Sequence, residues 1–146
     1  MWPKMWIRNM KAGLIDVLRG KFQDDLSVNQ VDPDLHQLLS ITDNLKCLLS
    51  ARQGVGSGDP EYGLPDIHDL QRHVSNSSEE LRGLIAEKIK RFEPRLRKIR
   101  VEAIPAEQAH SPLAYRIFAE LLDRKRVSFK AVFRAGAVAE LQLLSW

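Results

Sequence analysis

Pro94 constrains this chain more than any other residue, because the spacing of apolar side chains changes from helical to strand-like across it. Before it, Leu81, Leu84, Ile85, Lys88, Ile89 and Phe92 fall on one stripe at helical steps, with the aliphatic stem of Lys88 tolerable at its edge. After it, residues 96–103, 113–122, 127–133 and 137–144 alternate or run apolar over strand lengths. Proline lacks the N–H that a continuing helix needs and disfavours helical backbone at the preceding residue, so the helix stops at Glu93.

The order of elements follows from that break. Ile7, Met10, Leu14, Val17 and Leu18 predict a short amphipathic helix ending near Gly20. Asp32 followed by Pro33 is a helix start, and Leu35, Leu38, Leu39, Leu45, Leu48 and Leu49 carry an apolar face to about Arg52. Residues 53–65 contain Gly54, Gly56, Gly58, Gly63, Pro60 and Pro65 and no hydrophobic period, which makes them a loop. Ser77 and Glu80 have the spacing of a capping box for the helix that Pro94 ends. Residues 123–126 and 134–136 are hairpin-sized connections. Helices followed by strands predict an α+β fold, with N-terminal helices packed on a small, largely antiparallel C-terminal sheet. Residues 1–12 read as an N-terminal arm and 13–146 as a single domain.

Composition supports one globular unit: 146 residues with 44% hydrophobic and 28% charged side chains lie outside the disordered range. Cys47 has no cysteine partner, which excludes an intrachain disulfide and makes it a small packing residue on a helix. A reducing cytoplasm fits that usage. The N-terminus has neither the apolar run nor the cleavage site of a signal peptide, and no stretch is long and apolar enough to span a bilayer. His36, His68, His73 and His110 lack metal-ligand spacing, so no metal or cofactor is expected. The net charge of +3 is unevenly spread, with one basic cluster over residues 82–100 and another over 124–134. Either cluster can meet an acidic partner surface or phosphate.

Two motifs carry more information than the composition. The first is Asn44-Leu45-Lys46-Cys47-Leu48-Leu49-Ser50-Ala51-Arg52, followed across the glycine-rich loop by Tyr62-Gly63-Leu64-Pro65-Asp66. The second is Phe92-Glu93-Pro94-Arg95-Leu96 at the helix-to-strand junction. In this order they resemble the TssE branch of the phage-baseplate wedge family, over roughly residues 13–140. The chain departs from the family pattern at Ser50-Ala51, where Asn-Thr is usual, and keeps Arg52.

The resemblance implies a structural subunit of the type VI secretion baseplate, cytoplasmic and at the inner face of the inner membrane when assembled. Its implied partners are the wedge subunits TssF and TssG, the neighbouring TssK, and the contractile sheath subunits TssB and TssC around the Hcp tube. It also implies that Glu93, Pro94 and Arg95 dock on the other wedge subunits, with Arg52, Tyr62, Gly63, Leu64, Pro65 and Asp66 as further contacts. From the residues alone, Tyr62 to Asp66 read first as a loop that tucks a tyrosine and a leucine onto the core, and second as a rigid partner-facing loop. Because Pro94 fixes a rigid corner, Glu93 and Arg95 are expected to project from it, and loss of Arg95 to leave stability nearly unchanged.

Two other functions compete with this reading. A lysozyme-like glycoside hydrolase needs two carboxylates flanking a sugar cleft, for which Glu61, Asp66 and Glu93 are the candidates. A nucleic-acid-binding module would use the basic clusters, which lack interleaved stacking aromatics.

Overall fold

The computed structural model describes residues 33–56, 58–73, 75–109, 113–134 and 140–146. The N-terminal arm, the helix expected over Ile7 to Leu18 and the Asp32 cap lie outside the described residues. The chain divides into two compact units, residues 1–44 and 45–146, and helix α1 (Pro33–Ser50) runs across the division.

Within the first unit, α1 buries Leu35, Leu38 and Ile41, at steps of three that keep one helical face. Thr42 Oγ1 donates to the Leu38 carbonyl at 2.7 Å, which satisfies a hydroxyl that otherwise competes with helical backbone. In the second unit the same helix buries Leu45, Leu48 and Leu49. Leu39 is only half-buried, whereas Ile41 and Ser40, outside the expected stripe, are buried. Cys47 is exposed, contrary to its reading as a packing residue, because it lies off the Leu45–Leu48–Leu49 face.

A helical turn that the sequence did not announce, α2 (Ile67–His73), follows the loop. At 7 residues it is too short to display a hydrophobic period. Helix α3 (Ser77–Phe92) is the one that Pro94 ends. The capping box does not form: Asn76 holds the cap position without a side-chain bond, and Ser77 is already helical. Ser78 instead serves tertiary structure, its carbonyl accepting from the Tyr115 hydroxyl at 2.9 Å. Glu79 and Glu80 in the first turn, and Lys90 and Arg91 in the last, complement the helix dipole.

Four strands form an antiparallel meander in the order β1 (Leu96–Ala103), β2 (Leu113–Leu121), β3 (Arg126–Phe133) and β4 (Glu140–Ser145). A single turn, α4 (Ala106–Ala109), lies between β1 and β2. The chain is therefore α+β, as the change of period predicts. Alternation places Leu113, Tyr115, Ile117, Ala119 and Leu121 of β2 inward, opposite Phe133, Ala131, Phe129 and Val127 of β3. Tyr115 meets Phe133 edge-on with ring centroids 5.9 Å apart. Leu81, Ile85 and Ile89 of α3 are fully buried, each contributing about 1.5–3 kcal/mol relative to exposure.

One irregularity resolves a mismatch in the β1 pattern. Leu96 and Val101 are both buried although five positions apart, which strict alternation forbids. Between Arg97 and Arg100 the register shifts, and Lys98 adopts a left-handed φ of 49°. This bulge inserts one residue and restores the inward direction for Val101.

Candidate functional site

The first motif closes a loop through its backbone. Leu64 N–H donates to the Ala51 carbonyl at 3.0 Å, and Gln53 N–H donates to the Leu64 carbonyl at 2.8 Å, so the two ends of the loop are stitched together beside the end of α1. Gly63 is required there. Its φ is +95°, and a Cβ would lie 2.5 Å from the Ala51 oxygen. Because the stitch uses the Ala51 carbonyl, the departure from Asn-Thr at Ser50-Ala51 leaves it intact. Ser50 Oγ donates to the Lys46 carbonyl, a local bond in the last turn of α1.

Around this stitch the motif residues divide by exposure. Leu64 is buried, and Tyr62 is half-buried with its ring edge-on to Phe92, centroids 5.2 Å apart. Burial, and then the nearby Cys47, raise the Tyr62 phenol above its ordinary pKa. Arg52 pairs with Asp66 at 2.9 Å while its own side chain stays 63% exposed. Asp66 Oδ1 accepts from the His68 N–H at 2.9 Å and from Asp69 N–H at 3.4 Å, which makes it the acceptor that starts α2.

Those bonds hold the Asp66 carboxyl below the ordinary carboxylate range, the His68 N–H being the largest cause and Arg52 a smaller one. A depressed folded-state pKa contributes stability that is fully present above the unfolded value near 4 and is lost as pH falls through the folded value. Protease cleavage within residues 53–73 is therefore expected to accelerate as pH drops below about 4. Asp66→Asn keeps a capping oxygen without the titration and should flatten that dependence; an unchanged acid dependence in this variant would refute the assignment.

The second motif is more enclosed than the sequence suggests. Glu93 is 1% exposed. Arg95 Nε donates to Glu93 Oε1 and Arg95 Nη2 to Oε2, both at 2.7 Å, while the Arg95 backbone N–H donates to Oε1 at 3.2 Å. The expectation that both side chains project from the corner is thus corrected. Pro94 turns the chain so tightly that the guanidinium folds back across it onto the buried carboxylate. Pro94 itself is exposed, and the Arg95 side chain is 25% exposed.

Helix α3 brings the motifs together. Phe92, in the second motif, is the ring against which Tyr62 of the first motif stands. Lys88, read from sequence as the edge of a stripe, is buried to its tip, and its ammonium donates to the Glu61 carbonyl at 2.7 Å. Arg91 lies 3.8 Å from Asp59 and 3.6 Å from Glu61. One turn of α3 therefore holds the loop, and the corner follows directly. A lysine on an otherwise apolar stripe was the available signal for Lys88; its target, a backbone carbonyl 27 residues away, has no sequence signature.

The three carboxylates considered for hydrolysis are each engaged: Glu93 by Arg95, Asp66 by Arg52 and the α2 backbone, Glu61 by Lys88 and Arg91. Among the described residues, no His, Cys, Asp or Glu group is arranged to hold a metal ion. No helix among them is long and apolar enough to cross a membrane.

Comparison with known proteins gives this geometry a family. A chain solved as part of the type VI secretion baseplate complex superimposes with a TM-score of 0.51 and 20% identity, covering 67% of this chain and 94% of that one. A Geobacter sulfurreducens protein described as a candidate tail lysozyme gives a TM-score of 0.51 and 22% identity, covering 66% of this chain and 91% of that one. At such identities these likenesses concern the fold. No curated protein sequence matches at a significant level. Residues 35–126 match the family model of the baseplate wedge protein gp25. That span is well over half of the chain and includes both motifs, and the chain belongs to the gp25 baseplate wedge family.

Proposed function

We propose that this chain is a structural, non-enzymatic wedge subunit of a type VI secretion baseplate, at the cytoplasmic face of the inner membrane. The observation that carries the proposal is the family match over residues 35–126, within which Tyr62 and Phe92 join the two motifs into one surface. The fold shared with a chain of the type VI baseplate complex supports the choice of machine. On this reading the corner of Glu93, Pro94 and Arg95 docks on TssF and TssG beside TssK, with Arg52 and the exposed parts of Tyr62, Pro65 and Asp66 as its flank. Gly63 and Leu64 shape that flank from within. The sheet then provides an edge on which TssB and TssC begin the sheath around the Hcp tube.

Edge chemistry favours β4 for that last role. The β1 edge is guarded by Arg97, Lys98, Arg100 and its bulge, all devices that discourage strand addition. Strand β4 has one charged residue, Glu140, and no proline.

Co-purification from the native cell tests the proposal: TssF, TssG and sheath subunits are expected with the wild-type chain, and recovery of none of them would sink it. The purified protein is also expected to release no product from peptidoglycan, since each candidate carboxylate has a cationic partner. Turnover abolished by replacing Glu61, Asp66 or Glu93 singly would establish a hydrolase instead.

A further inference from the structure

Beside the corner lies an open depression of about 630 Å³ between α3 and the bulged start of β1. Its apolar part is Leu96, which is buried, with Ala86 and Ile99, which are half-buried. Lys90, Arg97 and Lys98 stand around it, against a single carboxylate, Glu87. The bulge helps create this composition, because it leaves both Arg97 and Lys98 exposed on consecutive positions. Lys98 reaches Glu120 at 3.0 Å while remaining 76% exposed. Lys90 and Arg97 have no ion-pair partner among the described residues.

Three properties select the occupant. The depression is too open to enclose a small molecule, whose sites bury most of the ligand surface. No aromatic side chain lines it, so it lacks the stacking platform of a single-strand nucleic-acid site. Lys90 and Arg97, without ion-pair partners among the described residues and facing the single carboxylate Glu87, stand beside apolar side chains and complement a carboxylate flanking a leucine-like anchor. We infer that this depression binds an acidic peptide segment of a partner protein, with an apolar side chain seated on Leu96 and Ile99 and carboxylates meeting Lys90 and Arg97. The inference rests on the reading of the chain as a docking subunit and adds the chemistry of one partner segment, starting one residue beyond Arg95.

The test is a titration of the full chain with a short fluorescent peptide of aspartates and glutamates around two leucines, followed by anisotropy. Binding is expected to weaken roughly tenfold in the Lys90→Glu, Arg97→Glu double variant and to weaken with added salt. Both residues are exposed, so the double variant should keep the wild-type circular dichroism. The same charge reversal at Arg116 and Lys130, neighbours across β2 and β3, should change affinity by less than about twofold. Equal weakening by both reversals would reduce the effect to net charge and overturn the inference. So would equal affinity of the wild type and the Lys90, Arg97 variant, or displacement of the peptide by a single-stranded oligonucleotide of the same charge. A wild-type chain that recovers no baseplate subunit from cells defeats the docking reading, whereas the titration decides the depression in either case.

Discussion

Arg95→Ala is expected to destabilise the protein by about 3 kcal/mol, because it breaks a bidentate ion pair to a buried carboxylate. Glu93 is 1% exposed and receives three hydrogen bonds from Arg95, two from the guanidinium and one from the backbone. Alanine keeps the backbone bond and removes the other two together with the guanidinium charge. The loss falls at the lower end for broken buried pairs, since the Arg95 side chain is one-quarter exposed and water can partly replace it. For a domain of this size the melting temperature should fall by roughly 10 °C. Arg95→Lys retains charge without the planar fork and should fall between wild type and alanine. In Glu93→Gln, Arg95→Ala both charges of the pair are gone, so the double variant should be more stable than the sum of the single effects predicts. Additive single effects would show that the pair is not coupled. Docking is then measured well below each melting temperature: a folded Arg95→Ala chain that still co-purifies with TssF and TssG would make the motif an internal lock and remove it from the interface.

Gly63→Ala should cost a similar amount, about 3 kcal/mol, for an unrelated reason. The substitution forces an L-residue to φ +95° and sets its Cβ 2.5 Å from the Ala51 oxygen, which is backbone and cannot rotate away. That oxygen also accepts the Leu64 N–H, so relief of the clash breaks the stitch holding Leu64 in the core. Two neighbours separate the contributions. Gly56 has φ +77° and open space around its Cβ position, so Gly56→Ala should show only the cost of the left-handed backbone, about 1–2 kcal/mol. Gly58 has neither a positive φ nor a close neighbour, so Gly58→Ala should be neutral or slightly stabilising. Thermal unfolding of the three variants checks the order, and Gly63→Ala melting with Gly58→Ala would discard the steric argument.

The sequence by itself determined where helix ends and sheet begins, because proline's missing N–H and the change of hydrophobic period are local properties. It determined the strands for the same reason, since alternation needs no knowledge of the partner strand. The two motifs were also legible as residues in order, which was enough to suggest the family. What those residues touch was decided only in three dimensions. Glu93 and Arg95 read as charges flanking a proline; their pairing depends on the chain reversing at Pro94 and on the carboxylate being sealed from solvent, which is a matter of what packs over it. Lys88 read as an amphipathic edge, and its burial depends on a carbonyl contributed by Glu61 from a loop without periodicity. Helix α2 and the β1 bulge escaped the periodic reading because seven residues and a single inserted residue are shorter than the patterns that reveal helices and strands. Short-range stereochemistry is written along the chain; the burial of a charge and the identity of its partner belong to the tertiary fold, because both depend on residues distant in sequence.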